Sequence, residues 1–400
     1  MRKSLSTVSL APLLWLALGA LVATGLLLTT PPPMEVHRPA ALAQAADSFG
    51  LSTAAPAGLE FEASGLIPQP PDAPAAHASN LLALPHDPSY GLAAFWFAGS
   101  KEAAPDVGIA MSLWSRTQNA WTPAARVVDR HQVGAALGKG IMRIGNPVAW
   151  LDRQQRLHVF VVGTGLGGWA ASRVLHLRQS QPQSPLNPLQ PALEAVGQLP
   201  LAWLWNLSHL VRHAPLPLAD GGMVLPLYFE LGAKYPVFAW FNADGEFQGM
   251  RKFTDLTQAL QPALLALDGD HWLALLRRQN QDGHIGVVAV SDAGKVWQRQ
   301  ADLPLSNDDS AVAALRLPGG GFVMLRNPAE RGRSQLLMHL SNDGQTWSSP
   351  RTLEDGVEGS EYSYPAMTWS DDRLWLSYTA LRQGISWQRW RISPSQQGQR

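Results

Sequence analysis

Polar side chains recur at the head of otherwise apolar runs in six places: His77 or Asn80, Asn146, Arg212 with His213, Gln261, Asp309 with Ser310, and Tyr364. A packed strand core has no use for arginine or asparagine there. Their recurrence therefore predicts one polar pocket on which all six converge. The competing reading is that strand ends simply lie near solvent. Arginine outnumbers lysine 25 to 6, a bias that suits two-pronged anion contacts or ion pairs over diffuse attraction. Other chemistries lack their context. Gly163, Gly165 and Gly168 fit a dinucleotide-type glycine spacing, but a Gln- and Pro-rich stretch follows instead of a helix and a spaced acid, so no nucleotide is expected. His209 and His213 lack the intervening glutamate of a zinc helix, and no nucleophile elbow or phosphate loop is present. No metal and no cofactor is expected. The absence of cysteine removes thiol catalysis, disulfides and a lipoprotein anchor.

The elements that must carry these residues are hairpins. A short apolar strand, a tight Asp/Gly-type turn and a second apolar strand recur, with turns near residues 87, 152, 220, 268, 319 and 371. Propeller blades recur at about 40–50 residues. Six such units predict an all-β, six-bladed β-propeller over residues 58–392, its inner strand ends gathering at one mouth. A second element, Ser341-Asn342-Asp343-Gly344-Gln345-Thr346-Trp347, has the composition of a capped β-turn sealed by a tryptophan. Ser291 to Trp297 is a weaker copy, and a degenerate one runs from Ser112 to Trp121-Thr122-Pro123.

With these turns in place the chain resembles the sialidase (neuraminidase) superfamily, in particular bacterial sialidase-like proteins with degenerate Asp-box (BNR) repeats. The resemblance rests on Phe97 to Glu102 running into Pro105 to Ile109, Gly145 to Val148, Leu210 to Pro215, Asn327 to Arg333, the turn at Ser341, and Glu361 to Pro365. It implies a retaining glycoside hydrolase for terminal acidic sugars of glycans, with a tyrosine nucleophile where most glycosidases use a second carboxylate. By this resemblance Asp106 is the general acid/base, Tyr364 the nucleophile and Arg333 one of the arginines that read a sugar carboxylate. Arg212 and Arg143 are candidates for the others, and Glu230 for the base that activates tyrosine. Glu102, His77, Asn146 and Glu361 complete the expected substrate contacts. The chain departs from the family where Ala76-His77-Ala78-Ser79 replaces the first inner-strand arginine. The rival function is a non-catalytic carbohydrate-binding or polysaccharide-assembly propeller. The residues have plainer readings as well: Asp106 as a turn cap, Tyr362 in place of Tyr364, and Arg333 paired with Glu330 at the surface.

Composition bounds the rest. Thirty-one basic and 31 acidic residues give no net field for nucleic acid, and 46% hydrophobic residues support a large core. Arg2 and Lys3 precede an uncharged apolar run. Residues 10–30 are therefore expected to be a transmembrane anchor or a cleaved signal, after a short cytoplasmic end at 1–9. Residues 31–57 read as an Ala/Pro-rich tether and 393–400 as a tail. Export follows: the propeller is expected on the non-cytoplasmic side, in a bacterial periplasm or at the cell surface, or secreted if cleaved.

Overall fold

The computed structural model describes residues 11–28, 58–202, 206–268, 271–279, 283–291, 296–307 and 309–393. Six separate antiparallel sheets account for the strands, and each is one blade. Their inner hairpins are Ala75–Ala83 with Tyr90–Gly99, Arg143–Leu151 with Leu157–Thr164, and Leu216–Pro217 with Met223–Phe229. The others are Ala259–Ala266 with Trp272–Arg278, Ala313–Arg316 with Phe322–Arg326, and Tyr362–Ser370 with Arg373–Ala380. All six expected turns fall between these strand pairs. Repeat counting does not reveal how the ring closes. Leu59–Leu66 pairs with Gly384–Ile392 and becomes the outermost strand of blade 6, so the first strand completes the last sheet.

Second strands are buried on both faces. Every residue of Leu157–Thr164 and of Met223–Phe229 is buried, because each blade is sandwiched between two neighbours. This is why these strands read as continuous apolar runs rather than alternating ones. The tryptophans serve this packing. Trp114 and Trp121 of blade 1 meet Trp375 and Trp387 of blade 6 with ring centroids 4.8–6.4 Å apart, mostly edge-on, the arrangement ring quadrupoles favour.

Inner strands share an irregularity that aims their side chains. Ladder register breaks between His77 and Asn80, Gly145 and Val148, Leu260 and Ala263, and Ser363 and Ala366. Within those breaks Ala78, Asn146, Gln261 and Tyr364 all have φ between +45° and +54°. Proline follows three of them (Pro147, Pro262, Pro365), which keeps the preceding residue out of the right-handed helical region. Each bulge redirects one side chain at the same level of the ring.

The turn at Ser341 joins the two outer strands of blade 5, Gln335–Ser341 and Arg351–Asp355. Asp343 accepts from the Gln345 and Thr346 amides, and Ser341 Oγ accepts from the Gly344 amide. Gly344 has φ +72°, a conformation that glycine adopts freely. Replacing Asp343 with alanine is expected to cost about 1 kcal/mol, the usual value of a lost side-chain cap. Urea midpoints of the two proteins measure this, and identical midpoints would show that the turn holds without its cap. The copy at Ser291–Trp297 has its turn residues 292–295 outside the described residues.

Gly167 and Gly168 lead into a short 3-10 turn, Gly168–Ala171, and then directly into the strand Ser172–Gln179. The glycines thus bend the chain between two strands of blade 2. At the N-terminus a helix spans Ala11–Leu28. Among the described residues no helix is long and apolar enough to cross a membrane. Residues 1–10, 31–57 and 394–400, read above as cytoplasmic end, tether and tail, lie outside the described residues, apart from Ser393.

Candidate active site

Tyr364 stands at the centre of the rim where the inner strands begin. Its φ of +54° is an outlier for a bulky side chain, a strain of about 1–3 kcal/mol that surrounding contacts must hold in place. Those contacts are aromatic and cationic. The His77 ring meets the Tyr364 ring edge-on at 4.4 Å and touches Phe97 at 5.3 Å. The guanidinium carbons of Arg212 and Arg333 lie 5.2 and 5.4 Å from the Tyr364 ring centroid, within cation–π range. Tyr362 instead packs beside Tyr378 in the core between blades 5 and 6.

Arg333 sits on the short turn Gly332–Ser334, which projects from blade 5. It donates to Ser310 Oγ at 3.2 Å and to Glu361 Oε1 at 3.2 Å, so its carboxylate is Glu361 rather than Glu330. Glu361 also accepts from Ser363 Oγ at 2.6 Å and from Arg382. Arg382 in turn pairs with Glu102. Glu102 and Glu361 therefore hold Arg333 and Arg382 on one wall, and the chain of contacts runs from the Glu102 loop to Tyr364. Asp106 belongs to that same loop, between Tyr90–Gly99 and Gly108–Ser115. Both of its oxygens accept from Ser100, at 2.7 Å from the amide and 2.8 Å from the hydroxyl. The Ser100 hydroxyl bond, above all, holds the Asp106 carboxyl below its usual range.

The opposite wall comes from blades 3 and 4. Glu230 follows Met223–Phe229 and is half-buried. Burial raises its pKa, Asp309 adds to the rise, and Arg277 and Lys234 oppose it. Arg277 donates to Asp309 Oδ1 at 2.7 Å and to Gln261 Oε1 at 3.1 Å. Gln261 donates onward to the Tyr228 hydroxyl at 3.3 Å. Burial, then the charges of Glu230 and Tyr364, push that hydroxyl far above the ordinary tyrosine range.

A raised carboxyl has a signature in stability. Glu230 keeps its proton to higher pH in the folded protein than in the unfolded chain. The stability it contributes is complete below its unfolded pKa and is lost as pH rises through the raised folded value. Glu230→Gln is therefore expected to gain stability relative to the parent between pH 4 and pH 8. Equal pH dependence of the two urea midpoints would remove this assignment.

Four other expected residues, Arg212, His77, Arg143 and Asn146, lie on the inner strands of blades 1–3 or between them. Arg212 was expected as a substrate contact, but it is only 1% exposed. Its terminal nitrogens donate to the backbone carbonyls of Ser79 (2.9 Å), Tyr364 and Pro365 (3.1 Å). It is a pin under the tyrosine ring, joining blade 3 to blades 1 and 6, and burial lowers its pKa to about 10. His77 fills the place of the first inner-strand arginine with a buried, neutral ring. Burial, then Arg382, Arg212 and Arg333, push its pKa well below the usual value. Arg143 opens the inner strand of blade 2, with its Nε–H unpartnered among the described residues. Asn146 is buried on its bulge.

The residues missed by sequence reasoning are Arg277, Arg382 and Tyr228. A signal for two of them exists. The rim is built from the starts of inner strands and also from the ends of second strands, where Tyr228 and Arg277 lie. Arg382 lies on the turn between Arg373–Ala380 and Gly384–Ile392, and no motif marks it.

The family described as BNR repeat-like domain matches residues 91–392. No curated protein matches by sequence. Among solved structures, the Hadza microbial sialidase Hz136 superposes with a TM-score of 0.64 at 14% identity, covering 80% of this chain and 66% of that one. A protein of unknown function from Dyadobacter fermentans gives 0.63 at 12% identity, covering 84% and 100%. A Trypanosoma rangeli sialidase mutant displaying trans-sialidase activity gives 0.58 at 13%, covering 84% and 60%. The chain thus spans two thirds or less of the length of these two sialidases, and at such identities the likeness is one of fold.

Proposed function

The chain belongs to the BNR repeat-like domain family, and from that premise we propose that it is a sialidase-like glycoside hydrolase acting on terminal acidic sugars of glycans. The observation that carries this reading is Tyr364, held in a left-handed conformation with two guanidinium groups within 5.4 Å of its ring. Of the two, Arg333 is the one that can pair with a sugar carboxylate, while Arg212 lies buried beneath the ring. A tyrosine nucleophile suits such a substrate, because a carboxylate nucleophile would be repelled by it.

In the proposed reaction the Tyr364 oxygen attacks the anomeric carbon as its proton passes towards Glu230. The glycosidic bond breaks, and the leaving oxygen takes a proton from Asp106. Water then attacks the anomeric carbon while Asp106 removes its proton, the bond to the Tyr364 oxygen breaks, and Glu230 returns its proton to that oxygen, which restores the enzyme with retained configuration. Asp106 is ionised in the free protein, so the acid role depends on a bound glycan covering it, since desolvation raises a carboxyl pKa. Arg333 and Arg382 are the proposed carboxylate readers, and His77 shapes the wall where an arginine is absent. The site works outside the cytoplasm in this reading, with residues 10–30 as anchor or export signal.

The test uses a sialoside with a 4-methylumbelliferyl leaving group beside one with a sugar leaving group. Asp106→Asn is expected to lower kcat/KM, which reports the step that breaks the glycosidic bond, by roughly 10²–10³-fold on the sugar leaving group, which needs the proton, and far less on the aryl group. Equal effects on both would remove Asp106 as acid. Glycan binding without turnover of either would make the protein a carbohydrate-binding propeller instead.

A further inference from the structure

Beneath Arg212, the inner strands enclose a lumen that the rim chemistry does not use. Its volume is about 550 Å³, and Asn80, Ala149, His213, Ala263, Ala314 and Ala366 are among the residues lining it. That volume lies within the range of roughly 300–1,000 Å³ typical of small-molecule sites. The lumen stays open because alanines follow the bulges of blades 2, 4 and 6: Ala149 after Asn146, Ala263 after Gln261, and Ala366 after Tyr364. Larger residues at these places would fill it.

The inner end of this apolar space carries an unbalanced charge. Arg212 lines the lumen, is almost wholly buried, and gives its terminal nitrogens only to backbone carbonyls. Its Nε–H has no partner among the described residues, and the neighbouring His213 has a buried, unpartnered Nε2 in the same lining. Burying a cation without a counter-charge costs several kcal/mol, and an anion reaching it recovers part of that cost. Arg316 also lines the lumen, but the Asp268 carboxylate acts on its charge, so the wall is mainly apolar with its uncompensated cation at Arg212, and it selects a ligand of matching polarity.

We infer that the lumen is a second binding site, for a monocarboxylate with an apolar body, its head at Arg212 and His213 and its body along the alanine-lined strands. The site is separate from the rim, since neither Tyr364, Glu230 nor Arg333 lines it. It does not depend on the rim being a glycosidase.

The experiment is calorimetric titration of the full chain with decanoate and, in parallel, with decanol. Decanoate is expected to bind saturably and at least tenfold more tightly than decanol. Ala314→Leu, which grows into the lumen from a half-buried position, is expected to weaken decanoate at least tenfold. Arg212→Met is expected to erase the preference for the acid over the alcohol. Because Arg212→Met can fail to fold, Ala314→Leu and the alcohol comparison carry the test without it. No decanoate binding, equal binding of acid and alcohol, or unchanged binding in Ala314→Leu would each overturn the inference.

Discussion

Turnover of a sialoside is expected to fall by roughly 10⁴-fold or more when Tyr364 becomes phenylalanine, since removing a covalent nucleophile leaves only binding and electrostatic assistance. The substitution is clean in structural terms. The ring keeps its edge contact with His77 and its place between the guanidinium groups of Arg212 and Arg333. Its strained φ is equally tolerable to phenylalanine, so stability should shift by less than about 1 kcal/mol. A large kinetic loss with an unchanged urea midpoint is the signature sought. If kcat falls less than tenfold, Tyr364 is not the nucleophile, and its strain serves only the packing of the rim.

The second large effect is on stability. Arg212→Met removes the donors that satisfy the carbonyls of Ser79, Tyr364 and Pro365. All three lie within register breaks of their strands. Each orphaned buried acceptor costs about 1–3 kcal/mol. Removing a buried cation relieves a desolvation cost that acts in the other direction. Three lost bonds outweigh that relief, and a net loss of about 3 kcal/mol is expected from the same bookkeeping. Denaturant unfolding should show a lower midpoint with an unchanged slope. A variant as stable as the parent would mean that desolvating the guanidinium costs as much as its three bonds return.

What could be read beforehand divides along physical lines. The hairpins were legible because turn residues and apolar runs are local signals, and all six turns lie between paired strands in the fold. Tyr364, Asn146 and Gln261 stood out as polar heads of apolar strands, and the bulges explain why: a left-handed residue before proline turns its side chain away from the blade core. Arg212 stood out by the same criterion, yet its partners are carbonyls on blades 1 and 6. That depends on which blades face each other across the axis, which no local pattern encodes. Arg382 was missed for a related reason: Glu361 is its neighbour within blade 6, but Glu102 is brought to it only by closure of the ring. Arg277 was hidden at the end of a second strand, where an apolar run simply seems to stop.

The closure of blade 6 by Leu59–Leu66 has a consequence for biogenesis. The first strand to leave the ribosome has no partner until Gly384–Ile392 is made, so it must wait exposed, or paired wrongly, while five blades assemble. Side chains 298 residues apart, Ser79 and Ser377, bond across the interface of blades 1 and 6, and such distant pairings make the final step slow. Half-made chains thus carry an open sheet edge, the species most prone to aggregate and most in need of chaperone cover.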